Sequence, residues 1–401
     1  MATTQSRAMK RVAKIWCLAS ALVLLGGAGA AAQTGACFDL TSCKVAPDRP
    51  ASLLIYPKVE VDPENGVDTV IQLTSTSEQP VSALCNYINA TQHCSNDNSQ
   101  CESNLDCPGF AQCIAGWTET DFRVTLTRLQ PLSWNASEGL AFLPCDLSNP
   151  NRAACADRNN GRIPPVAETP FLGELKCVQV DDSDAPVDFN ELIGEATTIR
   201  AVDTLLDASK YNAVGIQAIP GANDHDNRLC LGGVDATDDC PAAAEYAGCP
   251  QTLIMNHFFE GASFGGSPPV TNTLTLVPCA EDLLNQAPAS VTVQVLIFNE
   301  FEQRTSTSLR VRCFTSRNLA DLDTSPGTGD DSSSIFGIGT QGTPGGQTRL
   351  TGVVGQQNAN GILAILEEFR PCDGGPGGMC GSSVNLHQQG QRSLTDIIQL
   401  P

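Results

Sequence analysis

Gly261-Ala-Ser263-Phe-Gly265 carries the G-x-S-x-G spacing that sets a nucleophilic serine on a sharp turn in many hydrolases. Such a serine needs a strand before it and a helix immediately after it, so that the helix N-terminus faces the developing oxyanion. The strand is at hand in "TLIMNHFF", residues 252–259, but Gly266, Ser267, Pro268 and Pro269 follow where the helix should start. Prolines break a helix within a few residues. With 35 glycines in 401 residues the pattern is expected by chance. Ser263 therefore reads as part of a glycine-rich turn between strands, and His257 as a strand-surface residue.

Two other chemistries have candidate residues. Glu119, Asp121, Glu174, Glu300 and Glu302 lie on or beside predicted strands and could pair across a cleft for glycoside hydrolysis. Sugar sites usually add exposed aromatics, however, and aromatics are only 5% of this chain. Four scattered histidines with no H-x-H or H-E-x-x-H spacing disfavour a zinc hydrolase. Calcium is the better metal candidate, because hard oxygen ligands at alternate loop positions can wrap one ion. Asp224 and Asp226 in "NDHDN", and Asp235, Asp238 and Asp239 in "DATDD", are the candidate ligands, although neither stretch completes an EF-hand loop. No other cofactor is expected.

Seventeen cysteines follow Cys17, an odd number that leaves one thiol unassigned. The densest group, Cys94, Cys101, Cys107 and Cys113, lacks the C-x2-4-C pairs of zinc sites and reads as a disulfide knot. Cys145 with Cys155, and Cys372 with Cys380, flank short polar loops suited to local pairing. Cys230, Cys240 and Cys249 form a trio of which one member is left to reach Cys177, Cys279 or Cys313. The spacing of Cys101, Cys107 and Cys113 resembles small Cys-rich inserts of exported bacterial proteins.

These residues need a scaffold, and its pattern is period-2 alternation in short runs bounded by Pro, Gly, Asn and Asp, as antiparallel strands require. "SLLIYPKVEV", "VSALCNY", "DFRVTLTR", "ELKCVQVD" and "NTLTLVPC" each read as a strand, the first with a proline that suits an edge or bulge. The strongest hairpin sets Val291, Val293, Val295 and Ile297 against Leu309, Val311 and Cys313. Helical patterns are few. The expected fold is all-β, an antiparallel β-sandwich or two, with few short helices and several disulfides. Its expected segments are a first unit over 51–180 with a Cys-rich insert at 94–113, a second over 181–320, a Gly/Ser/Asp-rich linker or loop over 321–349, and a docking segment over 350–401.

Residues 1–32 run from four basic residues through an apolar stretch, Ile15 to Leu25, to Ala30-Ala31-Ala32, the order of a secretory signal. The apolar stretch is too short to span a membrane, and no transmembrane anchor is expected after cleavage. An extension over 33–50 would then lead the mature chain. Cleavage takes the formal charge from -21 to -25. Such acidity disfavours nucleic acid and anionic lipid as partners, since both call for basic patches. Cysteines in this number fit an oxidising compartment.

From Ala51 to Phe314 the strand pattern resembles the immunoglobulin-like modules of bacterial surface and secreted proteins. The resemblance implies an Ig-like sandwich and a binding or structural role. The expected function is thus an exported, non-enzymatic structural or adhesion-like protein with a protein or glycan partner. The alternative is a secreted, glycosidase-like hydrolase using carboxylates or loop-bound calcium.

Overall fold

The computed structural model describes residues 43–401 apart from 97–100, 102–104, 106, 115–117, 141–162, 203–204, 233–243, 264–268, 324–332, 354–359 and 372–378. The expected signal segment and most of the extension that follows it lie outside these residues. Among the described residues the helical pieces are single turns, Pro108–Phe110, Ala320–Leu322 and Ile338–Gln341. No helix among them is long and apolar enough to cross a membrane.

Among the described residues the strands gather into five sheets and one small two-stranded ladder. A six-stranded sheet runs in the order Val45–Ala46, Val214–Ile216, Leu53–Val61, Phe171–Val180, Val81–Asn89, Thr118–Leu126. A four-stranded sheet of Leu205–Asn212, Leu192–Val202, Val67–Ser75 and Pro131–Asn135 covers one of its faces. In the C-terminal half a five-stranded sheet runs Arg304–Arg312, Ser290–Asn299, Gly345–Val353, Pro250–Phe258, His387–Arg392. It packs on a second four-stranded sheet of Thr315–Asn318, Thr271–Pro278, Ile362–Pro371 and Met379–Asn385. A three-stranded sheet of Arg228–Leu231, Asp396–Gln399 and Glu281–Asp282 completes the five. Among the described residues every pairing between these strands is antiparallel except that of Glu281–Asp282 with Asp396–Gln399.

The arrangement is that of five blades, of β-propeller type, and not the clear Ig-like sandwich expected. The physical reason lies in two-sided burial. A two-layer sandwich leaves the outer face of each sheet wet. Here Leu54 and Tyr56 enter one apolar cluster while their neighbours Leu53 and Ile55 enter another on the opposite face. Leu276 and Val277 split between two clusters in the same way. The six-stranded and second four-stranded sheets are therefore interior layers, and the cluster between them draws on the three-stranded sheet through Leu229, Leu231 and Ile398.

Ala196 and Tyr211 sit in the same cluster as Ile71, Tyr87 and Trp134, and the described residues fall in one compact unit. The segment expected as a linker holds Phe336, fully buried, and begins the strand Gly345–Val353. The expected hairpin forms from Ser290–Asn299 and Arg304–Arg312, with Val291 opposite Val311 and Val293 opposite Leu309. "DTVIQLTSTSEQPVSALCNYI", which in sequence also runs strand, polar turn and strand, divides between two sheets.

Candidate functional site

The outer face of the five-stranded sheet carries an open cleft of about 510 Å³. Alternation places its walls. Asn256 and Phe298 both pair with Gln347, and Phe258 pairs with Gly345, so these side chains share the outward parity of three adjacent strands. Asn256 and Gln347 are exposed, Phe258 is 39% exposed and Phe298 half-buried. Glycine opens the floor: a Cβ on Gly345 would lie 2.9 Å from Oε1 of Glu300. The next glycine faces inward, where a Cβ on Gly346 would come within 2.3 Å of the Phe259 ring.

Polar groups close the rim. Glu368, from the adjacent sheet, accepts the backbone N–H of Phe258 at 3.2 Å. Asn299 accepts the N–H groups of Phe301 and Gln303 and donates to the Gln341 carbonyl at 3.0 Å, which fixes the turn presenting Glu300. Two aromatic faces, two primary amides and two carboxylates around one open cleft suit a ligand with apolar faces and many hydroxyls. Sequence reading named Glu300 but missed Phe258, Phe298, Gln347 and Glu368. The signal available is "TPGGQTRL", whose paired glycines fit a linker as well as a strand that leaves room above it.

Ser263 is exposed and sits in a loop closed by backbone bonds from Gly261 to Val270 and from Val270 to Ala262. His257 is 4% exposed, beneath the cleft rather than on a strand surface. Its Nδ1–H donates to the Phe258 carbonyl, and Nε2 accepts the Thr348 hydroxyl at 2.8 Å, so both nitrogens are engaged away from Ser263. Burial pushes the imidazole down to about 4, which keeps it neutral.

Asp224 and Asp226 are exposed, and each accepts the backbone N–H two residues on, from Asp226 and Arg228. These are Asx turns, and among the described residues no third acidic side chain joins them at ligating distance. Asp235, Asp238 and Asp239 lie outside the described residues. Cys94 is bonded to Cys107, and Cys101 to Cys113. Cys85 is bonded to Cys177, Cys249 to Cys279, and Cys380 is also disulfide-bonded. Cys145, Cys155 and Cys372 lie outside the described residues. Cys313 is a free, buried thiol whose pKa burial raises.

Two clusters of buried charge complete the polar interior. In one, Lys58 lies 2.5 Å from Glu367 and 3.0 Å from Glu60, and Arg200 reaches the same two carboxylates at 3.0 and 3.3 Å. In the other, Lys176 meets Glu174 at 3.0 Å and contacts Glu281. Beside it, Asn86 pairs with Lys176 across the strands and donates to Glu119 at 2.5 Å. Burial, with Asp121 nearby, raises Glu119 to about 7.

No family model matches the chain, and no curated protein matches it in sequence.

Proposed function

We propose that this protein is exported and acts as a non-enzymatic binding protein of the cell envelope or extracellular space, taking a glycan in the cleft around Gln347. The observation that carries the reading is an outward Gln347 between Asn256 and Phe298, with Phe258 opposite Gly345 two positions along and Glu300 and Glu368 lining the same cleft. Sugar rings offer apolar C–H faces to aromatic side chains and hydroxyls to amides and carboxylates. Export is supported by the signal-like order of residues 1–32 and by disulfides in several parts of the fold. The formal charge argues against nucleic acid as the partner. Titration of the folded protein with a panel of neutral and amino-sugar oligosaccharides tests the reading. Binding weakened about tenfold or more by Phe258→Ala is expected, in line with the weight of aromatic contacts at interfaces. No binding across the panel, or binding indifferent to Phe258 and Gln347, overturns it.

A hydrolase is the second reading, favoured by one observation: Glu300 and Glu368, far apart in sequence, line the same cleft. Release of reducing sugar by the wild type and its loss in both Glu300→Gln and Glu368→Gln would establish it over simple binding.

A further inference from the structure

The two buried lysine clusters differ in charge balance. Around Lys58 there are two cations, Lys58 and Arg200, for two carboxylates, Glu60 and Glu367. Around Lys176 there is one cation for two carboxyls, and Lys176, Glu174 and Glu281 each have side chains only 1% exposed. Oε2 of Glu174 is buried with no hydrogen-bond partner. An unbalanced carboxyl in such a place is costly unless a proton or a covalent bond removes charge.

We propose that Lys176 and Glu281 condense into a side-chain amide, with Glu174 as the proton relay. Nζ of Lys176 contacts a carboxyl oxygen of Glu281 and lies 3.0 Å from Oε1 of Glu174, so the nucleophile already touches both the carboxyl it would attack and the relay. The step needs no co-reactant. An ammonium, a carboxylate and a carboxylic acid hold the same protons as an amine and two carboxylic acids. Proton transfer from Lys176 to Glu281 therefore gives the neutral amine and the acid without uptake from solvent. The Nζ lone pair attacks Cδ of Glu281 and forms the C–N bond. Glu174 takes the proton shed by nitrogen and delivers it to the departing hydroxyl, so the C–O bond breaks, one water leaves and Glu174 is regenerated. Burial, opposed by Lys176, raises the Glu174 pKa, which suits a carboxyl that must carry a proton. Burial also favours the uncharged product. The Lys58 cluster is the internal contrast: its charges cancel, Arg200 occupies both carboxylates, and it stays ionic.

The bond would join the strand Phe171–Val180 of the six-stranded sheet to Glu281–Asp282 of the three-stranded sheet. Each end lies next to a disulfide, Cys85–Cys177 and Cys249–Cys279, so the amide would link covalently two regions that these disulfides lock separately.

Intact mass of the folded chain, after reduction and denaturation, tests this directly. The expected mass is one water below that calculated for the same reduced polypeptide without the bond. Proteolysis should then release one branched peptide containing Lys176 and Glu281 that survives reduction. Glu281→Gln should give the same branched product with loss of ammonia instead. Glu174→Gln, which keeps shape and hydrogen-bonding capacity, should slow the loss of water about a hundredfold or more. A folded wild type of full mass overturns the proposal, as does water loss that persists in Lys176→Met or a peptide map with Lys176 unmodified. Crosslinking at an undiminished rate in Glu174→Gln removes Glu174 from the relay. The peptide map keeps the test decisive if a Lys176 variant does not fold.

Discussion

Trp134 Nε1 donates a 2.6 Å hydrogen bond to the hydroxyl of Tyr87 across the interface between the first two sheets. Both side chains are buried, and Phe122 packs edge-on against Trp134 and tilted against Tyr87. The bond satisfies the two polar atoms that these large apolar bodies bring into the core. Tyr87→Phe leaves the indole N–H without this partner and is expected to cost about 1–3 kcal/mol, read from urea unfolding. Trp134→Phe should cost more, because a cavity is added to the unpaired hydroxyl.

The balanced charge network makes its own prediction. Glu367→Gln leaves Lys58 and Arg200 in the interior against a single carboxylate, that of the partly buried Glu60, and should cost about 3–5 kcal/mol. Burial pushes Glu367 up, but Lys58 and Arg200 outweigh it and hold its pKa below the usual carboxylate range. A carboxyl held down in this way contributes stability above its unfolded pKa and loses it as pH falls through the folded value. The variant should therefore lose part of the wild type's acid sensitivity below the ordinary carboxylate pKa.

His257 acts in a higher window. Its folded pKa is about 4, against about 6.5 for a free imidazole, so the unfolded chain binds more protons between these values. Its contribution is complete above the free value and falls by up to about 3 kcal/mol as pH drops towards the folded one. Glu119, raised to about 7, pulls the opposite way over much of that range. The difference between wild type and His257→Gln isolates the histidine. A pH-independent difference would rule the effect out.

The two glycines of the cleft separate binding from folding. Gly346→Ala drives a methyl into the Phe259 ring in a packed core and should cost about 1–3 kcal/mol. A Cβ at Gly345 meets only the movable end of exposed Glu300, which sets Gly345→Ala apart. It should narrow the cleft and weaken glycan binding while the melting temperature stays within a few degrees of the wild type.

Cys313 should resist alkylation in the folded state. Burial raises its thiol pKa, and the thiolate is the reactive species. Mapping after iodoacetamide should find its peptide labelled only when denaturant is present, and labelling in native buffer would contradict its burial.

Period 2 and turn residues suffice to read an all-β chain, its long hairpin over 290–312 and its knot of cysteines, because alternation and local spacing are properties of neighbours in sequence. The cleft was half visible at best: Glu300 stood out as a carboxylate near a strand, but nothing near it in sequence announces Gln347, Phe258 or Glu368. Gln347 and Phe258 meet Phe298 only because three strands take one register, and Glu368 reaches them from the adjacent sheet. The number of layers was hidden for a related reason. "SLLIYPKVEV" is nearly continuous in apolar residues, and whether its second face meets water or another sheet depends on chain more than a hundred residues away. The same holds for charge. Lys58 and Lys176 look alike in sequence, each with a glutamate two positions off, and only tertiary structure brings Arg200 to one and not to the other. Local pattern determined the elements, while long-range packing decided which faces, carboxyls and thiols would lose water.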